Sequence, residues 1–212
     1  MKRLSLWTKL FLGLVLFSLA GTLLTRFTRL DPGPIRPVAS LLTIAIGFIA
    51  LARFAKPWQA LAVVLLGGGM EICSLYTGFP FGSYRYTSNW WPTIELPQGQ
   101  PYPLLLPFAW FLIAGGCAIA LRPLGKSMLI LAPLLATLID FFMEPVMTQK
   151  LGYWAWTVRG PLPGGAPWLN VVGWFATSLL AALILRKGKG TDETAWILTA
   201  YVVLIAGLWA VG

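Results

Sequence analysis

A chain of 212 residues that is 58% hydrophobic and 11% charged lies far from a soluble domain, in which about a quarter of residues are charged. It reads as one integral membrane domain over residues 1–212, with no room for a second, soluble one. The net charge of +9 falls in short loops between apolar runs, where basic residues set topology rather than form a nucleic-acid surface.

Seven apolar segments follow in chain order, at 6–25, 38–55, 58–76, 103–121, 127–145, 168–185 and 194–211. Each is near the ~20 residues that cross a bilayer core, so the expected fold is an all-α bundle of about seven transmembrane helices. The first segment has the basic start and the Ser18-Leu19-Ala20 triplet of a signal peptide. Its apolar run continues to Leu24, so it is expected to stay as a spanning helix. DPGPIRP (31–37), KP (56–57), RPLGK (122–126) and RKGKGTD (186–192) separate the segments, because proline and glycine end helices for backbone reasons. The connections 77–102 and 147–167 are longer and dense in Pro, Gly and aromatic residues. They are too aromatic for solvated linkers, and long structured loops in compact domains often act as lids.

With seven spans, the side of the N-terminus carries Lys2, Arg3, Lys9, Arg53, Lys56, Arg122, Lys126, Arg186, Lys187 and Lys189. The other side carries Arg26, Arg29, Arg36, Arg85, Lys150 and Arg159. The excess predicts a cytoplasmic N-terminus in the cell membrane, with both aromatic loops on the outer face. Glu71, Asp140 and Glu144 then share a depth near that face.

These three acids are the chemically unusual residues. An ionised acid at the bilayer centre costs roughly 2.5–3.5 kcal/mol on insertion scales, and such residues face a cavity or the bundle interior. Asp140 and Glu144 are four apart, hence on one helix face, where two charges repel in a medium that disfavours ionisation. The expected product is a neutral carboxylic acid beside an ionised one, an acid–base pair. The plainer alternative is helix-end polarity paired to Lys150 or Arg85. Pro145 removes the donor for the Phe141 carbonyl and pushes Glu144 from helical geometry, so the helix is expected to open there. Gly67-Gly68-Gly69, just before Glu71, admit a flat ligand or, at least as readily, a packed neighbour. The chain has no histidine, which argues against a di-iron oxygenase. Cys73 and Cys117 lie in apolar segments without ligand spacing, so no metal site is expected. The aromatic residues Tyr76, Phe79, Phe81, Tyr84, Tyr86, Trp90, Trp91, Tyr153, Trp154, Trp156 and Trp168 exceed what an interfacial belt requires. Their ring faces would shelter a cation.

Glu71 with TGFPFGSYRYTSN (77–89), DFFMEPVMTQKLGYW (140–154) and WLNVVGWF (168–175) resemble the CruF-type carotenoid hydratases. These membrane carotenoid-biosynthesis proteins include bisanhydrobacterioruberin hydratase and the γ-carotene 1'-hydroxylases. The resemblance spans about half the chain. It implies addition of water across the terminal C1–C2 double bond of a ψ-end group in a membrane-dissolved carotenoid, with no redox cofactor and a carotenoid glycosyltransferase as a pathway partner. Acid–base reasoning then names Asp140 or Glu144 as proton donor, its partner as the base that orients water, and Glu71 as the third member. Tyr84, Tyr86, Trp154 and Asn170 are candidate pocket residues, and Arg85 is a candidate for setting a carboxylate's charge. Cyclisation of a carotenoid end group shares the first cation and excludes water. A small membrane transporter or substrate-capture subunit would need broken helices in paired positions; Pro133 is one break, without a counterpart.

Overall fold

The structure is a computed structural model that describes residues 4–28, 30–188 and 192–211. Of the basic residues counted above, Lys2, Arg3, Arg29 and Lys189 lie outside the described residues. Three long helices come first: α1 (Leu6–Thr28), α2 (Ile35–Ala52) and α3 (Pro57–Thr77). Proline at the first position suits the start of α3, since its missing N–H would have no helical partner there, and the Gln59 side chain accepts from the Lys56 N–H at 3.0 Å. Gly78 closes the helix in a left-handed conformation.

Next comes an apolar helical stretch of 45 residues, Leu106–Lys150. At 1.5 Å per residue it would run about 68 Å, more than twice the ~30 Å hydrocarbon core. It does not run straight. α4 (Leu106–Trp110), a π turn (Phe111–Gly115) and α5 (Gly116–Leu121) form one limb. The chain reverses through Arg122–Ser127, where Gly125 leaves helical geometry (φ 61°, ψ −127°). α6 (Met128–Pro145) then packs back against α5. α7 (Trp168–Leu185) and α8 (Asp192–Val211) complete the chain. Among the described residues six helices are thus long and apolar enough to span, and the fold-back in the fourth makes seven limbs. The protein is an all-α multi-pass membrane protein, and most boundaries fall within a few residues of the apolar segments. The fourth limb starts at Leu106 rather than 103, because Pro103 belongs to a strand.

Polar contacts identify the two ends of the bundle. At the end holding the start of α1, Arg122 donates to the carbonyls of Leu185 (2.7 Å) and Phe54 (2.6 Å). Gln59 donates to Ile184 O (2.7 Å), Thr8 donates to Glu193 (2.8 Å), and Arg53 pairs with Glu193 at 3.8 Å. At the opposite end the two aromatic loops meet. Strand β1 (Tyr84–Tyr86) of the first pairs antiparallel with β4 (Trp154–Trp156) of the second, Tyr84 opposite Trp156 and Tyr86 opposite Trp154. A second ribbon, β2 (Thr93–Leu96) with β3 (Gln100–Pro103), lies within the first loop. The short strands are absent from the helix-only expectation. Their pairing joins segments about 70 residues apart, which no local pattern announces.

The expected opening at Pro145 takes a different form. Glu144 and Pro145 stay helical (Pro145 φ −63°, ψ −33°). The helix widens only afterwards, into a π turn over Val146–Lys150. Thr148 Oγ1 donates to the Glu144 carbonyl at 2.7 Å, so a side chain supplies a donor within the widened turn.

Candidate active site

A cavity of about 1010 Å³ lies within the bundle below the β1–β4 ribbon, at the upper end of the size range of small-molecule sites. Glu71 of α3, Asp140 and Glu144 of α6, and Asn170 of α7 all line it. So do Tyr84, Tyr86 and Trp154 of the ribbon, together with Trp110 of α4, Trp156 of β4 and Trp174 of α7. The far wall is α1, α2 and α8, and Arg26, Arg36 and Lys150 lie along the lining.

Local geometry brings each group there. Alternation along β1 buries Tyr84 and Tyr86 and exposes Arg85, and β4 repeats the pattern with Trp154 and Trp156 around Ala155. The four inward rings meet edge to face, Tyr84 with Trp156 at 5.3 Å and Tyr86 with Trp154 at 6.1 Å between centroids. Such pairs contribute about 0.5–1.5 kcal/mol each beyond area burial. One turn-and-strand arrangement therefore delivers two phenols and two indoles to the acids. Helical spacing of four places Asp140 and Glu144 side by side, both buried.

The acids are held by neutral donors. Glu71 accepts from the hydroxyls of Tyr84 and Tyr86 (the latter 2.8 Å) and from Trp110 Nε1 at 2.8 Å. Glu144 accepts from Trp156 Nε1 at 3.0 Å, Trp154 Nε1 at 3.3 Å and Asn170 Nδ2 at 3.2 Å. Asp140 Oδ2 accepts from the same Asn170 amide at 2.7 Å, whereas Asp140 Oδ1 is buried without a hydrogen-bond partner. Burial, and then the nearby Glu71 charge, push the Tyr84 and Tyr86 phenols well above their ordinary range, so both remain protonated donors. The alternative pairing with Lys150 or Arg85 is not what the fold makes. Lys150 Nζ donates to the carbonyls of Leu208 (3.3 Å) and Trp209. Arg85 falls outside the cavity: the pleat turns it away, and its Nη2 donates to Gly99 O at 2.7 Å.

The glycine run resolves toward packing. A Cβ on Gly67 would sit 2.4 Å from Trp110 Cβ and Cγ, so the missing side chain is what lets Trp110 reach Glu71. Its indole stacks on Trp174 at 4.0 Å and on Phe81 at 5.4 Å, forming an aromatic wall of the cavity. Gly164, in the second loop, plays a comparable part at the other acid. Its φ of 71° and the 2.9 Å that would separate a Cβ from the Glu144 backbone let the loop close against α6. Sequence reading passed over Trp110, which lies in an apolar helix without a distinguishing local pattern, and did not single out Trp174 within WLNVVGWF (168–175). Among the described residues no group of three or more His, Cys, Asp or Glu is arranged to hold a metal ion.

Comparison with known proteins adds to this geometry. No solved structure matches the chain. Bisanhydrobacterioruberin hydratase from Haloarcula japonica is 27% identical over 191 residues, covering 82% of this chain. The chain spans 63% of the length of that relative. Residues 35–211 match the family described as carotenoid biosynthesis protein, and they include every limb after α1 and the buried carboxylates Glu71, Asp140 and Glu144 of the cavity. The chain belongs to the carotenoid biosynthesis protein family.

Proposed function

We propose that the protein is a carotenoid hydratase that adds water across the terminal C1–C2 double bond of a ψ-end group. The observation that carries this reading is the convergence of three buried carboxylates on one aromatic-walled cavity inside a membrane bundle. The name of the relative supports it. An isolated alkene offers no polar handle, so activation requires a strong local acid and a surface tolerant of positive charge. A carboxylic acid of the Asp140–Glu144 pair donates a proton to C2. The π electrons form the new C–H bond, and the positive charge appears at the tertiary C1. Rings of Trp110, Trp156 and Trp174 along the lining would stabilise it by the attraction of a ring face for a cation. Water attacks C1, the second carboxylate takes the released proton, and a tertiary alcohol results. The sum is alkene plus water, so this route requires no electron transfer. The substrate reaches the cavity from the bilayer. A carotenoid glycosyltransferase acting on the alcohol is a pathway partner consistent with this product. The basic-residue bias supports a cytoplasmic N-terminus, which puts the ribbon and the acids toward the outer face.

The test is isotopic. Membranes containing the protein, incubated with an acyclic carotenoid in ¹⁸O-labelled water, should yield a labelled alcohol one water heavier than the substrate. Label from molecular oxygen instead, or a product of unchanged mass as cyclisation gives, refutes the reading.

A further inference from the structure

We infer that the three carboxylates have distinct tasks: Asp140 carries the transferable proton, Glu144 receives the proton of the attacking water, and Glu71 is a permanent anion facing the cation. This rests on the hydratase reading and deepens it.

The assignment comes from counting donors. Both oxygens of Glu71 are engaged, Oε1 by Trp110 and Oε2 by Tyr84 and Tyr86. An indole N–H can only donate, so this shell suits the ionised form. Both oxygens of Glu144 are also engaged, Oε2 by two indoles and Oε1 by Asn170. Its contacts, at 3.0–3.3 Å, are longer than the 2.8 Å bonds to Glu71 from Tyr86 and Trp110. Asp140 differs, because Asn170 serves Oδ2 alone and Oδ1 has no partner although it is buried. A buried carboxylate oxygen without a donor is the least favourable place for negative charge. A proton on that oxygen removes the charge and makes the group a donor. Asn170 Nδ2 touches both Asp140 and Glu144, which holds the acid beside the base.

Turnover then balances. The Asp140 O–H bond breaks and a C2–H bond forms. Water oxygen bonds to C1 and its proton passes to Glu144. Glu144 returns that proton to Asp140, and both groups are restored. Glu71 gains and loses nothing.

Deuterium separates the three roles. The detergent-solubilised protein is incubated in D₂O with an acyclic carotenoid bearing ψ-end groups, and both alcohol and recovered polyene are analysed for deuterium at C2. The native chain should give an alcohol with one deuterium at C2. Asp140→Asn should give neither alcohol nor exchange. Asp140→Glu, which keeps an acid, should restore part of both. Glu144→Gln should lower alcohol by at least about a hundredfold while the recovered polyene still gains deuterium, because the cation forms and is lost by returning a proton. Glu71→Gln should reduce exchange and alcohol in equal proportion. Exchange that survives Asp140→Asn overturns the assignment, as does its loss in Glu144→Gln or a failure of Asp140→Glu to restore any. A native chain that makes no alcohol refutes the hydratase reading itself, a result distinct from any of these.

Discussion

The two ends of the bundle both bury polar side chains, and they use them differently. At the end near the start of α1, Arg122 and Gln59 donate to the carbonyls of Phe54, Ile184 and Leu185, the groups that the ends of α2 and α7 leave without helical partners. Those side chains complete backbone hydrogen bonding and hold helices together. At the opposite end Glu71, Asp140 and Glu144 accept from other side chains, and they border an open volume. Polar burial that satisfies helix ends reads as architecture, whereas polar burial arranged around a cavity reads as chemistry.

Substitution can break this contrast. After the complete loss expected of Asp140→Asn, the largest effect should come from Glu144→Gln. Loss of a general base typically costs about a hundredfold to ten-thousandfold in rate, and here alcohol formed per folded molecule should fall that far with little change in thermal midpoint. A midpoint drop that accounts for the lost activity would place Glu144 with the architectural group. Trp156→Phe keeps the ring and removes the N–H that reaches Glu144. A hydrogen bond to a charged group contributes roughly 1.5–3 kcal/mol, so turnover should fall about tenfold to a hundredfold, read as kcat in a membrane assay. Arg122→Met should show the reverse profile. Each carbonyl left unsatisfied costs about 1–3 kcal/mol, so the unfolding midpoint in detergent drops while turnover per folded molecule changes by less than about threefold. Arg85→Ala should have the smallest effect, less than about twofold on activity, because its contact is with Gly99 and not with the acids. A larger loss would mean that the ribbon's outer face takes part in substrate binding.

The carboxylate pair was legible because its spacing is local. Four residues on one helix put Asp140 and Glu144 together in any fold that keeps the helix, and their place among apolar residues marked them out. Glu71 could be placed only at similar depth. Its convergence with the pair depended on how α3, α6 and α7 pack and on the ribbon that joins the two loops. Tyr84, Tyr86 and Trp154 stood out in the two aromatic loops, whereas Trp110 was hidden among apolar residues whose shared chemistry gives no contrast. Arg85 shows the limit most clearly. Next to two inward tyrosines in sequence, it faces outward, because a strand alternates and nothing local identified the strand.

Hydropathy and helix-breaking residues by themselves determined a seven-limbed membrane bundle, since lipid requires every exposed backbone group to be satisfied within its own helix. The donors around each acid were decided only by tertiary structure. Hydrogen bonds at about 3 Å depend on side chains brought from α3, α4, α6, α7 and two paired loops, and no rule of sequence spacing acts across those distances.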